Sequence, residues 1–367
     1  MNTWPLKSLT VEQAMEKQFR LIDEITKVFP GDEIMTRGDL GVVKGLNQPR
    51  TTNKVEAVLA NYFHAEAAML VRGSGTMAIR LGLHSFMENG ARLLIHRAPV
   101  YPTTTASLKM LGIQTVEADF NHLEDVKKVL SEEKVDGALV QLSRQKMDDR
   151  YDAEEVIRCM KEARPDLPVL TDDNYAVLKI PKCGWEMGAD LSSFSTFKLL
   201  GPEGIGCIVG KKSYIDKLRQ ENYSGGLQVQ GHEALDVLRG MIYAPVSLAI
   251  SAQVSEEVAD RLNTGEVAGV KEAFIANAQS KVILVRLEEE IASSVLEHAE
   301  DLGAAPIPVG SESQYEFVPM FYRISGTFRA TDPEAEKTMV RINPMRSGPD
   351  TILRILDEAI KKATNEG

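Results

Sequence analysis

Five short stretches carry residue types that could do chemistry together. Lys198 stands in Ser195-Thr196-Phe197-Lys198-Leu199-Leu200-Gly201-Pro202, just after the strand-like run 191–195. That is the carboxyl end of a strand, where open α/β sheets place their ligands. A lysine that loses its proton can attack a carbonyl to form a Schiff base, and can later move a proton at a substrate's α carbon. A lysine after a strand is also a common solvated loop residue, so its neighbours decide. Asp172-Asp173-Asn174-Tyr175 ends the apolar run Pro168-Val169-Leu170-Thr171. A carboxylate there can bind a metal, act as a base, hold a protonated ring nitrogen or serve as a turn acid. Arg72-Gly73-Ser74-Gly75-Thr76 lies between a strand and a helix. Its glycines let the backbone approach an anion, and the helix start offers unpaired N–H groups. It lacks the lysine of a P-loop and the third glycine of a dinucleotide fingerprint. What is left is a generic phosphate cradle, or a plain tight turn. Tyr101, in Ala98-Pro99-Val100-Tyr101-Pro102, could stack on a flat ring or be a rim tyrosine. Arg341, in Met339-Val340-Arg341-Ile342-Asn343-Pro344-Met345-Arg346, could clamp a carboxylate in bidentate fashion or form a surface ion pair, with Arg346 as competitor.

The elements that must position these residues follow from periodicity. Residues 10–29 read as an amphipathic helix ended by Pro30-Gly31, and 31–50 as extended loop. Helix 53–63, strand 67–71, the glycine turn and helix 77–86 come next. Strands at 93–95, 114–118, 138–141 and 169–171 alternate with helices near 103–111, 121–131 and 153–163. This alternation predicts an α/β fold: a large three-layer α/β/α domain with a mainly parallel sheet. Strands 191–195 and 206–209 are too close in sequence for a helical crossover, so that pair is antiparallel or non-adjacent. Helices at 251–262 and 270–291 lead into a smaller C-terminal α/β region with strands 318–325 and 337–342 and a closing helix, 350–363. The expected division is 1–50 as N-terminal helix and interface loop, 51–262 as large domain and 263–367 as smaller domain.

The whole chain narrows the functional classes. Its 367 residues can bury a large core. A formal net charge of -11 disfavours nucleic acid and anionic membrane as partners and points to a small molecule. The three cysteines, Cys159, Cys183 and Cys207, form no CxxC pair, which speaks against disulfides and structural zinc and fits a reducing cytoplasm. No signal peptide and no apolar stretch long enough to span a bilayer is apparent. The six histidines show no metal-ligand spacing, and no metal is expected.

Taken in order, the glycine-serine-glycine-threonine turn, the aromatic residue, the strand-end aspartate and Ser-x-x-Lys resemble the fold-type I pyridoxal-phosphate enzymes, the aspartate aminotransferase superfamily. The resemblance covers roughly residues 50–345. Val55–Ala60 with His64–Ala68 and the Lys198–Pro202 run are similar to the selenocysteine synthase branch. Ala234–Gly240 is similar to the cystathionine synthase and lyase branch, although that branch's tyrosine–arginine pair is replaced by Val43-Lys44 and Gln48-Pro49-Arg50. Gly73–Thr76 and Arg341–Met345 are similar to class V aminotransferases. The resemblance implies that Lys198 bears pyridoxal 5'-phosphate. Asp172, or Asp173 in the other register, faces the pyridine nitrogen. Ser74, Gly75, Thr76 and Ser195 hold the phosphate, Tyr101 stacks on the ring, and Arg341 binds the substrate carboxylate. It also implies a homodimer or homotetramer with a shared site, to which the loop 37–50 and Gly225–Gln228 contribute. The reaction implied is transamination of a small amino acid or amine. β/γ-Elimination or replacement is the alternative, and a non-catalytic cofactor-binding protein is a second one.

Overall fold

The short apolar runs of the first two-thirds of the chain pair into one sheet. Its strands are β1 (Ala67–Arg72), β2 (Arg92–His96), β3 (Gln114–Ala118), β4 (Gly137–Gln141), β5 (Val169–Asp172), β6 (Leu191–Ser195) and β7 (Ile205–Gly210), in the spatial order β1-β7-β6-β5-β4-β2-β3. Neighbours from β6 to β3 run parallel, and β7 is antiparallel to both β6 and β1. The hairpin-length connection between β6 and β7 dictates that reversal. Successive side chains leave a strand on opposite faces. Leu93, Ile95, Leu139 and Leu170 thus join one core, with the helices Ser74–His84 and Lys212–Glu221. Leu94, Ala138, Val140 and Val169 join another, with the helices Leu123–Glu132 and Ala153–Ala163. Each fully buried aliphatic side chain contributes about 1.5–3 kcal/mol, which makes two-sided burial the main source of stability for these layers.

The structure is a computed structural model and describes residues 3–144, 146–276, 282–310, 312–325, 328–329 and 332–365. These fall into two compact units. The larger contains Gln13–Ser143 and Tyr151–Pro245; the smaller contains the described residues of Met1–Glu12, Arg144–Arg150 and Val246–Gly367. In this division the larger unit ends at Pro245, and residues 1–50 are shared between the two units. The N-terminal helix, Val11–Val28, belongs almost wholly to the larger unit, where Arg20 donates to the Tyr62 carbonyl at 2.8 Å and Lys17 to that of Pro181 at 2.6 Å.

The smaller unit corrects the sequence reading most. The helix expected over 270–291 is replaced by strands β8 (Val270–Ile275) and β9 (Ile283–Leu287), followed by a helix at Ala292–Asp301; residues 277–281 lie outside the described residues. β9 is buried almost throughout, and a buried strand lacks the alternation that separates strand from helix. Its β-branched Ile283 and Val285, with Val282 just before them, favour the pleated state. With β10 (Met320–Arg323) and β11 (Met339–Asn343) it forms an antiparallel sheet of order β10-β11-β9-β8. The helix Pro349–Asn365 covers this sheet's core with Leu353, Leu356 and Ile360.

The helix expected at 251–262 is also longer, Gly231–Asn263, and continues through Pro245. A proline removes one helical hydrogen bond without preventing the remaining turns. The stretch Gly225–Asn263, whose most apolar 18-residue window has a mean hydropathy of 1.3, is long and apolar enough to cross a membrane, contrary to the sequence reading. Over half of its most apolar window is buried within the protein, as in a core helix.

Candidate active site

Four segments of the larger unit converge at the carboxyl ends of β5 and β6. The first is the glycine turn. Gly73 takes φ +101 and Ser74 φ +59, so the helix that follows starts at Ser74 rather than at residue 77. The amides of Gly73 and Ser74 both donate to the Gly204 carbonyl, at 2.7 and 2.9 Å. The Ser74 amide is thus already used, and the backbone share of an anion cradle falls to Gly75 and Thr76, whose amides a helix start leaves without intrahelical partners. Ser74 offers its hydroxyl instead, 2.6 Å from the Ser195 hydroxyl. Thr76 Oγ1 donates to Thr103 Oγ1 at 3.1 Å, tying the cradle to the helix that begins after Tyr101. The Tyr101 side is open: the residue is 49% exposed, as a stacking platform requires.

The second segment is the strand-end acid pair. Asp172 Oδ1 accepts from the Asn174 amide at 3.1 Å and from Asn174 Nδ2 at 2.7 Å. Burial pushes this carboxyl above the ordinary aspartate value, while Asn174, the charge of Lys198 and Gln141 pull it down. Asp173 points elsewhere. Its Oδ2 accepts from the Gly184 amide at 2.8 Å, and burial raises it to about 7, against hydrogen bonds from Thr171, Gly184 and Ser192. Consecutive residues at a strand end face opposite ways, and of the two acids Asp172 is the one that senses the charge of Lys198.

The third and fourth segments are held by Asn174 and the lysine turn. Asn174 Oδ1 accepts from the Ser195 amide at 3.0 Å, and Ser143 donates to the Asn174 carbonyl at 3.0 Å. A Cβ on residue 75 would lie 2.5 Å from Asn174 Oδ1, so the glycine is what allows this close approach. Lys198 sits in the short 3-10 turn Thr196–Leu199 with its Nζ 3.8 Å from the centroid of the Tyr175 ring. The turn closes through Thr196 Oγ1 to the Ile205 carbonyl and Leu200 at φ +60. Helix Gly231–Asn263 packs on it through Gly240, where a Cβ would stand 2.4 Å from the Leu200 carbonyl. Sequence reading assigned no role to Asn174, Tyr175 or Gly240. An asparagine two residues past a strand-end aspartate is the local signal of an Asx-type turn; the contacts to Gly75 and Leu200 are long-range and leave no local mark.

Arg341 is described within the smaller unit. It lies on β11 with its guanidinium 3.8 Å from the ring of Tyr322, its cross-strand partner. Arg346 is partly desolvated, which lowers its affinity for a proton, while Glu312 and Glu316 oppose that shift. His96 is structural: Nδ1 accepts from the Phe120 amide at 3.0 Å, and the ring packs on Phe120 and Tyr151. Among the described residues no group of His, Cys, Asp or Glu is placed to hold a metal ion.

An anion cradle with a glycine whose Cβ would press on Asn174, a buried carboxylate and a partly buried amine in one unit fit pyridoxal phosphate. Comparisons with known proteins agree on the fold. Residues 51–235 match the family described as aminotransferase class-V, and residues 256–356 match the YhfS-like C-terminal domain. The chain is 52% identical over 360 residues to the protein YhfS of Escherichia coli (strain K12), covering 98% of this chain and 99% of that one. The crystal structure of the pyridoxal-5'-phosphate dependent protein YhfS from Escherichia coli superposes with a TM-score of 0.97, over 99% of this chain and 100% of that one. An L-seryl-tRNA(Sec) selenium transferase of Clostridium perfringens (strain ATCC 13124) is 27% identical over 197 residues, 48% of this chain and 42% of that enzyme. The cystathionine gamma lyase CalE6 of Micromonospora echinospora shares the fold at 16% identity, with a TM-score of 0.73 over 94% of this chain and 98% of that one.

Proposed function

Since the chain belongs to the class-V aminotransferase family over residues 51–235 and to the YhfS family over nearly its whole length, we propose that it is a pyridoxal-phosphate-dependent enzyme that transfers the amino group of a small amino acid or amine. The observation that carries this reading is the convergence of Lys198, Asp172 and the Ser74–Ser195 hydroxyl pair through Asn174 and Gly75. When bound, pyridoxal phosphate supplies an aldehyde for covalent capture of amines and a ring that withdraws electrons from the carbon beside the captured nitrogen. The protein's residues do the rest. Lys198 attaches the cofactor covalently, and once displaced it takes the proton from the substrate's α carbon. Asp172 faces the ring nitrogen and favours its charged form. The Gly75 and Thr76 amides and the Ser74 and Ser195 hydroxyls hold the phosphate, Tyr101 stacks on the ring, and Arg341 takes the substrate carboxylate.

A second reading is elimination or replacement at the β or γ carbon, with the same residues up to proton removal. The 27% identity with a selenium transferase supports it. A shared active site between copies of the chain belongs to the same proposal. Along the N-terminal helix Ala14, Leu21 and Ile25 are buried, while Met15, Phe19 and Ile22 form a second, exposed apolar face. Met35, Leu40 and Val42 are exposed as well, and a partner copy would cover such apolar surface.

Borohydride reduction followed by peptide mapping tests the anchor. A pyridoxyl adduct on the peptide containing Lys198 supports the proposal, and an adduct only on other lysines removes its centre. Amino donors are then offered with and without a keto acid. Turnover that requires the acceptor supports transamination. Ammonia and keto acid released without an acceptor favour the second reading, and cofactor retention without turnover favours a non-catalytic role.

A further inference from the structure

Three consecutive residues at the carboxyl end of β4 reach across to the strand-end acid. The Leu142 amide donates to the Asp172 carbonyl at 3.0 Å, and the Ser143 hydroxyl donates to the Asn174 carbonyl at 3.0 Å. Gln141 is the first of the three. It stands opposite Asp172 in the parallel β4–β5 register, two residues beyond the Leu139–Leu170 pair. Alternate residues of a strand share a face. Leu139 and Leu170 both enter the core that includes Ala78, Ile79 and Leu83 of the helix Ser74–His84. Gln141 and Asp172 therefore leave the sheet side by side, on the face covered by the helix that begins at the anion cradle. Both are buried.

The chemistry of the pair follows from its surroundings. Burial raises the Asp172 carboxyl, while Asn174, the charge of Lys198 and the Gln141 side chain lower it. A hydrogen bond lowers a carboxyl when it is donated to the ionised form, so Gln141 presents the N–H end of its side-chain amide. Asp173, the neighbouring acid, is coupled to Asp172 by like charge. A second cation in place of Gln141 would cancel the negative charge that a protonated ring nitrogen has to meet. An amide donates hydrogen bonds and carries no charge. Gln141 is itself held, since Tyr151 Oη donates to its carbonyl at 2.6 Å.

We propose that Gln141 is a positioning residue for Asp172: from the neighbouring strand it donates to the carboxylate, keeping it ionised and in place without neutralising it. The inference rests on the reading of Asp172 as the partner of the ring nitrogen. It gives Gln141 no contact with cofactor or substrate.

The experiment is equilibrium dialysis of pyridoxal phosphate against wild type, Gln141→Met, Gln141→Glu and Asp172→Asn over a range of pH. Methionine keeps the length of glutamine and removes the donor. A hydrogen bond donated to a charged group corresponds to a shift of about one unit in the carboxyl's midpoint. Gln141→Met is therefore expected to move the acid limb of the affinity profile up by about one unit. Within that limb it binds about tenfold more weakly than wild type, and on the alkaline side the two proteins agree to within about threefold. If methionine is not accommodated, Gln141→Glu, equally long and without the N–H groups, must move the limb the same way. A role in packing alone would weaken binding equally at every pH. A limb that stays in place in Gln141→Met or Gln141→Glu, with Asp172→Asn defective, overturns the inference and leaves the Asp172 reading standing. Wild-type affinity and an unchanged limb in Asp172→Asn overturn that reading itself.

Discussion

Replacing Gly75 by alanine tests the logic of the site with a single methyl group. The added Cβ would lie 2.5 Å from Asn174 Oδ1 and 2.8 Å from Asn174 Nδ2, inside any tolerable contact. Asn174 has little room to yield, because its amide joins Asp172 at 2.7 Å to the Ser195 amide at 3.0 Å. Displacing it sacrifices one charge-assisted and one neutral hydrogen bond, together worth about 2–4 kcal/mol. The Asp172 carboxyl, already raised by burial, also loses a group that lowers it, so it becomes a poorer partner for a pyridinium. Urea unfolding should show the stability loss, and equilibrium dialysis a cofactor affinity weakened at least about tenfold, the factor that 1.4 kcal/mol represents. A double-mutant cycle isolates the cause. If Asn174 is what the methyl group strikes, the cost of Gly75→Ala largely vanishes in an Asn174→Ala background, and the coupling energy approaches the single-mutant penalty. Additive penalties would refute the steric account.

Three other expectations follow from the same geometry. Asp172→Asn should abolish stable cofactor retention while Asp173→Asn should not, as measured by absorbance after gel filtration; the reverse outcome would restore Asp173 as the ring's partner. Asp173 titrates near 7 in the folded chain against about 3.9 unfolded, so the stability it confers as a neutral acid is present below about pH 4 and lost as pH rises towards 7. Asp173→Asn should flatten that slope by up to about 4 kcal/mol between pH 4 and 8, and parallel urea-midpoint profiles for the two proteins would count against it. Phe19→Asp with Ile22→Asp should leave the unfolding midpoint of a single chain nearly unchanged, because Phe19 is 57% exposed, yet should lower the mass seen by light scattering. An unchanged mass would remove the argument that a second copy covers this face.

The alternation of helices and strands up to residue 171 was legible because each element there buries one stripe or two faces in a regular period. The antiparallel turn-back of β7 was legible from chain length alone. The smaller unit was harder to read. Ile283–Leu287 lies between two strands and has no polar face to show, and Asn263 bonds both the amide and the carbonyl of Ala273, a pairing that no local pattern announces. At the site, Lys198, Asp172, Ser74 and Ser195 stood out by type and position. Their mutual placement depends on Asn174 and on Gly75, Gly206 and Gly240, each of which lets backbone or amide groups approach within distances a side chain would forbid. Such requirements arise between distant segments and leave only an unremarked glycine behind.

β1 has a single neighbour in the sheet, β7, and the carbonyl of Gly204 at the start of β7 receives both amides of the cradle. For a chain made from its N-terminus, this fixes an order of events. Residues 67–72, apolar and ready to pair, emerge long before residues 205–210 exist. At ordinary synthesis rates the delay is on the order of ten seconds, during which the cradle has no anchor and the strand edge no partner. The nascent chain cannot complete its anion site piecemeal. It must keep that edge from pairing with the wrong strand until the ribosome has passed the lysine as well, so the segments that would meet the cofactor become competent together.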